Sequence, residues 1–473
     1  MMSFQLIMAS SLIICNHVLP VSAFQFNLQA SGMRSGRTHT NDCNRNHKRK
    51  TAHYSQIQKT ILSAKSNTNA YKHENVEYTL LNGVNLVPPS VWDNCLPTSN
   101  TNANEISTPF LQHSFLSALE ASQCVSSQRG WLPRHLQISI DGQISAFVPL
   151  YIKSHSMGEF IFDSEWAEFA KQKGISYYPK LLIGVPFSPV TCPKILLNPS
   201  FRRERGMEED REKLKEFRVF VGKIIESIVK DNHLSSAHIN FVTEEEAIDL
   251  GGDLDLGQDE ENGAMNKSKS ILQSVVQKLT VKDSIYFRKT TLQYHWFNKH
   301  KTHGGAYSSF DDYLTCFKSK KRITIKRERR LVKEQNVRVD AIVGKEIRNY
   351  PGLVERMYEI YKSTVDKMFW GGLYFTKEFF EMLVDSDFVD NLVFMCARPY
   401  NFNLTDVDAG RDLDSNANFD GSDFVVEDVF AGTINVVQDN TFWGRYWGCL
   451  PSFEVKNLHF EVSNSKWRNH SIR

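Results

Sequence analysis

The sequence predicts an α/β fold with mixed, α+β-type sheets, arranged as two tandem units. Three observations carry this. The chain has 473 residues, more than one simple core fills. Helical and strand periodicities follow one rhythm in both halves: helix, strands, helix, strands. No Gly-x-Gly-x-x-Gly follows a strand, which speaks against a dinucleotide-binding or barrel arrangement.

Composition narrows the class. Apolar residues make up 41% of the chain and aromatics 12%, enough for well-filled cores. A net charge of +2 argues against a general nucleic-acid binder, local patches aside. The eight cysteines include no Cys-x-x-Cys pair, so neither a zinc site nor a disulfide framework is indicated. They read as free thiols in a reducing compartment.

The front end reads as a targeting signal. Phe4 to Cys15 is an apolar run too short to span a bilayer. It leads to Val21-Ser-Ala23, with small residues where signal peptidase cuts. Residues 24–75 are rich in Ser, Thr, Asn, Lys and Arg, and Asp42 is the only acidic residue before Glu74. A signal peptide over 1–23 joined to such a segment resembles the bipartite presequence of algal plastids of secondary origin. Plastid import is the expectation, and a secreted protein with a basic, disordered start is the alternative. No later run is long and apolar enough for a transmembrane helix, so the mature protein is expected to lack an integral span.

The first unit is expected over 78–300. Thr108-Pro109 reads as N-cap and first helical residue, followed by Phe110, Leu111, Phe115, Ala118 and Leu119 at helical spacing. Leu136–Ile140 and Ile144–Ile152 flank Asp141-Gly142, a strong hairpin signal. Phe162–Phe169 reads as a short helix, and Tyr177–Val190 as a buried strand breaking into a proline-rich turn. Leu214–Ile228 is amphipathic, and Ala237–Val242 is a strand capped into a helix at Thr243. Residues 251–269 read as an inserted loop.

Four strings in this unit carry a resemblance: Pro109-Phe-Leu-Gln-His-Ser-Phe-Leu-Ser-Ala-Leu-Glu120, Trp131-Leu-Pro-Arg-His-Leu136, Pro149-Leu-Tyr-Ile-Lys-Ser-His-Ser-Met-Gly-Glu159, and Tyr178-Pro-Lys-Leu-Leu182 with Val185-Pro-Phe-Ser-Pro-Val-Thr191. They resemble the FemAB-like family of peptidoglycan biosynthesis or recognition. That family is placed in the acyl-CoA N-acyltransferase (GNAT-like) superfamily. The resemblance implies two tandem GNAT-like units. It also implies transfer of an acyl or aminoacyl group to an amine, with acyl-CoA or aminoacyl-tRNA as co-substrate and no bound cofactor. The expected partners are a small-molecule or peptide amine acceptor and a tRNA or acyl carrier. The usual GNAT pyrophosphate loop is absent, and Fem-type proteins likewise depart from it.

The second unit is expected over 301–462, with an Asp- and Asn-rich insertion at 401–421. It opens with Lys318-Ser-Lys-Lys-Arg-Ile-Thr-Ile-Lys-Arg-Glu-Arg-Arg330. On a helix, Ile323 and Leu331 would face inward, and Lys320, Lys321, Arg327 and Arg330 outward. Lys320, Lys321, Arg322 and Arg327 are candidates for a phosphate clamp on a CoA donor or a tRNA acceptor stem; a solvated basic face is the alternative. Leu353–Thr364 is a helix, Thr376 caps the helix Lys377–Val384, and Leu392–Ala397 is a strand. Phe424–Gln438 and Thr441–Trp447 pair across Asp439-Asn440.

The last motif is Phe442-Trp-Gly-Arg-Tyr-Trp-Gly-Cys449 with Leu458-His-Phe-Glu461. Its glycines suit a strand close to a ligand. Acyl transfer to an amine needs a neutral amine, oxyanion donors and juxtaposed substrates, but no covalent nucleophile. Glu461 is the first candidate for the base and His459 the second. Arg445 is the anion anchor, and Tyr446 and Trp447 are pocket walls. The resemblance stops at Glu461, so 463–473 reads as a non-family tail on an incomplete second unit. A non-catalytic peptide or glycan recognition protein, or an inactive truncated form, is the alternative reading.

Overall fold

The computed structural model describes residues 5–15, 62–63, 75–97, 107–199, 208–251, 286–300, 302, 304–367, 372–400, 423–453, 455 and 458. It is a mixed α/β structure of two compact units. The first comprises Leu6–His113 and Val125–Gln293; the second takes Ser114–Cys124 and the chain from Tyr294 onward. The insertions read at 251–269 and 401–421 lie almost wholly outside the described residues.

The strands of the first unit are β1 (Gln5–Cys15), β2 (Leu62–Ser63), β3 (Val76–Leu81), β4 (Trp131–Pro133), β5 (His135–Ile140), β6 (Gln143–Val148), β7 (Leu150–Lys153), β8 (Lys180–Ile183), β9 (Leu196–Leu197), β10 (Ser236–Val242) and β11 (Tyr286–His295). They form a five-stranded sheet, β2-β3-β5-β6-β9, and a six-stranded one, β11-β1-β10-β8-β7-β4. The β5–β6 hairpin turns at Asp141 and Gly142, both at positive φ, the conformation an Asp-Gly type I′ turn requires. The apolar run after it is interrupted at Pro149, which lacks the N–H a continuous ladder would use. The segment read as the apolar core of a leader runs as β1, antiparallel to β10.

The helices of this unit are α1 (Pro89–Asp93), α3 (Ser164–Gln172), α4 (Glu208–Asp231) and α5 (Glu244–Asp249); α2 (His113–Ala121) packs almost entirely with the second unit. Helix α4 crosses between the parallel strands β8 and β10. Its Leu214, Phe217, Val221, Ile224, Ile225 and Ile228 share one buried cluster with Leu181, Ile183, Ala237, Ile239, Leu150 and Ile152. Each such side chain contributes roughly 1.5–3 kcal/mol by leaving water. The Thr243 hydroxyl accepts from the Glu246 N–H and starts α5.

The second unit carries α6 (Phe310–Thr315), α7 (Ser319–Glu334), α8 (Leu353–Asp366) and α9 (Lys377–Asp385) around an antiparallel sheet β12-β13-β14-β15. Its strands are β12 (Val337–Val343), β13 (Leu392–Pro399), β14 (Ala431–Gln438) and β15 (Thr441–Cys449). The β14–β15 hairpin turns with Asp439 at positive φ. The Thr376 hydroxyl caps α9 by accepting from Phe379 N–H. Phe115 of α2 packs on Phe379 and Phe388, and the Thr376 N–H reaches Cys124 Sγ.

Candidate functional site: a buried polar face of the six-stranded sheet

Successive side chains of a strand point to opposite faces. In the six-stranded sheet, Leu150 and Ile152 of β7, Leu181 and Ile183 of β8, and Ala237 and Ile239 of β10 all join the α4 core. The residues between them therefore share the other face: Tyr151 and Lys153, Lys180 and Leu182, His238 and Asn240. This face is polar, yet it is buried. Lys153 and Lys180 are 0% exposed, His238 1% and Asn240 3%.

The segment after β7 supplies the counter-charges. Glu159 and the residue before α3, Asp163, are each 4% exposed. Lys180 Nζ lies 2.7 Å from Asp163 Oδ2 and 2.9 Å from Glu159 Oε2. It also donates to Ser156 Oγ at 2.8 Å and faces His238 Nδ1 at 3.4 Å. Asp163 Oδ2 accepts further bonds from Ser156 Oγ at 3.0 Å and Tyr177 OH at 2.8 Å. Lys153 Nζ sits 3.5 Å over the Trp131 ring and donates to Met157 O. Glu159 is held by the Lys180 ammonium at 2.9 Å through Oε2, and its Oε1 is buried with no hydrogen-bond partner. Asp163 Oδ1 and His238 Nε2 are likewise buried without a hydrogen-bond partner.

These surroundings move the ionisations apart. Burial pushes Lys153 well below the ordinary lysine range, against the pull of Glu159. Burial also raises Glu159, despite Lys180 and Lys153. Burial alone would raise Asp163, but the charge and hydrogen bond of Lys180, with Ser156 and Tyr177, hold it below the usual aspartate range. Burial and then the charge of Lys180 push His238 well below 6.5. Perturbed groups of this kind cluster at functional sites.

A second feature adjoins on β10. The parallel ladder pairs Leu181–Ile183 with Ala237–Ile239 and ends there, although β10 continues to Val242. Beyond the last pair, Gly184 N–H turns to Pro149 O. Asn240 stands beside Gly184, and neither its Nδ2 nor its Oδ1 has a partner. The next residue, Phe241, has φ of 52°, a left-handed conformation that costs a non-glycine residue on the order of 1–2 kcal/mol. Its carbonyl is held by Lys194 Nζ at 2.8 Å and Cys192 N–H at 3.1 Å. Lys194 is itself 1% exposed and also donates to Cys192 O. A buried ammonium thus clamps the strained turn of chain next to an unpaired amide.

The sequence-predicted residues lie elsewhere. His459 and Glu461 are outside the described residues. Arg445, Tyr446 and Trp447 are on β15: Arg445 Nη2 donates to Tyr446 OH at 3.0 Å, and Tyr446 packs against Tyr361, Phe375 and Phe380. Burial raises the Tyr446 phenol, against the charge of Arg445. Trp447 packs on the β12–β14 core. Gly448 is needed because a methyl there would strike the Ile360 carbonyl of α8. That glycine serves helix packing rather than the close approach to a ligand its motif suggested.

Lys320, Lys321, Arg322 and Arg327 are on α7, as expected for a basic helix. Lys320 and Arg327 are exposed, and Lys321 and Arg322 are half-buried. Arg322 donates to Phe317 O. Neighbouring charges are partly spent locally: Lys326 pairs with Asp311 and Arg330 with Glu334. The expected inward Ile323 is instead 65% exposed, because α7 is covered towards its far end, where Val332 enters the core and the chain turns into β12.

The buried face was not singled out from sequence, although Lys153, Ser156, Glu159 and Lys180 all stand inside the quoted resemblance strings. The available signal was polar residues at alternate positions of otherwise apolar strands, Lys153 in β7, Lys180 in β8, and His238 and Asn240 in β10. A family model described as peptidoglycan biosynthesis/recognition, FemAB-like, matches residues 83–404. The chain belongs to the FemAB-like family. The match covers β4 to β13 and so includes every residue of the buried polar face. A search of curated proteins finds no match.

Proposed function

We propose that this FemAB-like protein is an N-acyltransferase that moves an acyl or aminoacyl group from a thioester or tRNA donor onto an amine. The observation that carries the reading is Asn240. Its buried amide presents one free donor and one free acceptor where the parallel ladder ends. A donor there suits the oxyanion of the tetrahedral intermediate, and an acceptor suits the attacking amine. Burial makes both interactions stronger than they would be in water. The family's description and the mixed α/β architecture support the class of reaction.

The test is turnover with a panel of acyl-CoA and aminoacyl-tRNA donors and amine acceptors. Asn240→Ala is expected to lower kcat roughly 10²-fold with KM little changed, the size of losing one oxyanion donor. Glu461→Gln and His459→Asn report whether the proton acceptor comes from the last motif. Tight ligand binding with no turnover on any donor would sink the transferase reading and favour a recognition protein. We propose delivery to a plastid by residues 1–75, which a fluorescent fusion of that segment checks.

A further inference from the structure

We propose that Glu159, Asp163 and His238 form a binding site for a divalent first-row metal ion, with zinc and cobalt as the probes. The inference is independent of the transferase reading. The three residues come from three places in the chain: the segment after β7, the start of α3 and the middle of β10. One nitrogen or oxygen of each lies within 4.8 Å of the others. Three ligand atoms about 2.0–2.2 Å from one ion and spread evenly around it are roughly 3.5–3.8 Å apart, so closure asks for about an ångström of side-chain movement.

The second observation is the set of unused atoms. All three residues are more than nine-tenths buried. Asp163 Oδ1, His238 Nε2 and Glu159 Oε1 have no hydrogen-bond partner. Buried polar atoms are normally partnered, and here three, Asp163 Oδ1, His238 Nε2 and Glu159 Oε1, occur in one cluster without one, while Glu159 Oε2 meets only the Lys180 ammonium. The surrounding bonds also hold these groups in place. Ser156, Tyr177 and Lys180 all bond the same oxygen of Asp163, Oδ2, which leaves Oδ1 for an ion. The Tyr177 ring meets the His238 imidazole edge-on at 5.9 Å, and Nδ1 faces Lys180, so Nε2 is the open nitrogen. Metal ligands are commonly oriented by outer partners in this way. One imidazole with two carboxylates suits zinc, cobalt or manganese better than the all-oxygen preference of calcium or magnesium.

Lys180 is the competitor. Its ammonium is the cation that now balances the two carboxylates. Replacing it with Met leaves both carboxylates without that cation, and a divalent ion would take its place.

The experiment uses the full chain stripped of metal and titrated with Co2+, read by visible absorption, and with Zn2+, read by calorimetry. The expected result is uptake of one equivalent by the unaltered protein. Uptake should be lost in His238→Gln and in Asp163→Asn, and tightened at least ~10-fold in Lys180→Met, about 1.4 kcal/mol. Circular dichroism identifies any variant that fails to fold, and Glu159→Gln then replaces it. The proposal is overturned if neither the unaltered protein nor Lys180→Met takes up an equivalent. It is equally overturned if uptake persists in folded His238→Gln and Asp163→Asn, which would put the ion among other histidines.

Discussion

Asn240 and Lys180 sit on one sheet face, and their substitutions should act in opposite senses. Asn240→Leu removes two unsatisfied buried polar atoms. It should raise the unfolding free energy by about 1–3 kcal/mol, read by urea denaturation, while the proposed transfer falls roughly 10²-fold as in Asn240→Ala. Lys180→Met in metal-free buffer should lower it by about 3–5 kcal/mol, because Asp163 and Glu159 lose their buried counter-charge. His238 gives a pH signature. Its folded pKa lies well below 6.5, so the unfolded chain binds the proton first as pH falls. Stability should therefore be full above about pH 6.5 and decline below it. The decline should flatten in His238→Gln, measured by thermal melts across that range. Little of this was legible in sequence. A lysine at an alternate strand position looks the same whether that face meets water or protein. At Lys153 and Lys180 the segment carrying Glu159 and Asp163 decides, and its placement is tertiary.

Elements were more legible where their signals are local. Asp141-Gly142 and Asp439-Asn440 both turn hairpins, and Thr243 and Thr376 both cap helices, because turn and cap chemistry needs only a few neighbouring residues. The six apolar positions of α4 all reached the core. Strand β12 was harder to see, since Asp340 sits in its middle, 0% exposed and paired with Arg338 and Arg398. The glycines of β15 separate packing from permissiveness. Gly448→Ala should destabilise by about 1–3 kcal/mol as the methyl meets the Ile360 carbonyl. Gly444→Ala has only ordinary contacts at 3.9 Å and beyond and should be nearly neutral. Paired denaturation curves distinguish the two.

At the scale of the whole molecule, chain order and packing order differ. The shared rhythm of elements places the boundary near residue 300 and treats each half as continuous. The compact units instead divide at Gln293, and Ser114–Cys124 goes with the later one. Nothing local in α2 announces this, because its apolar face would suit either core. Phe115→Ala should thus cost about 3–5 kcal/mol in the unit built from later sequence. Hydrogen exchange should show protection lost in α9 and Asp387–Asn391 while β5–β8 keep theirs; the reverse pattern would contradict the assignment.

The bond from Thr376 N–H to Cys124 Sγ spans 252 residues of chain. A ribosome adding about 5–20 residues per second takes on the order of ten to fifty seconds to make that stretch. Throughout that interval Phe115 waits for Phe379 and Phe388, the rings it finally packs against. The nascent protein thus carries an apolar helix without its destination for most of its synthesis, which is the period when a holding chaperone would matter most to its yield.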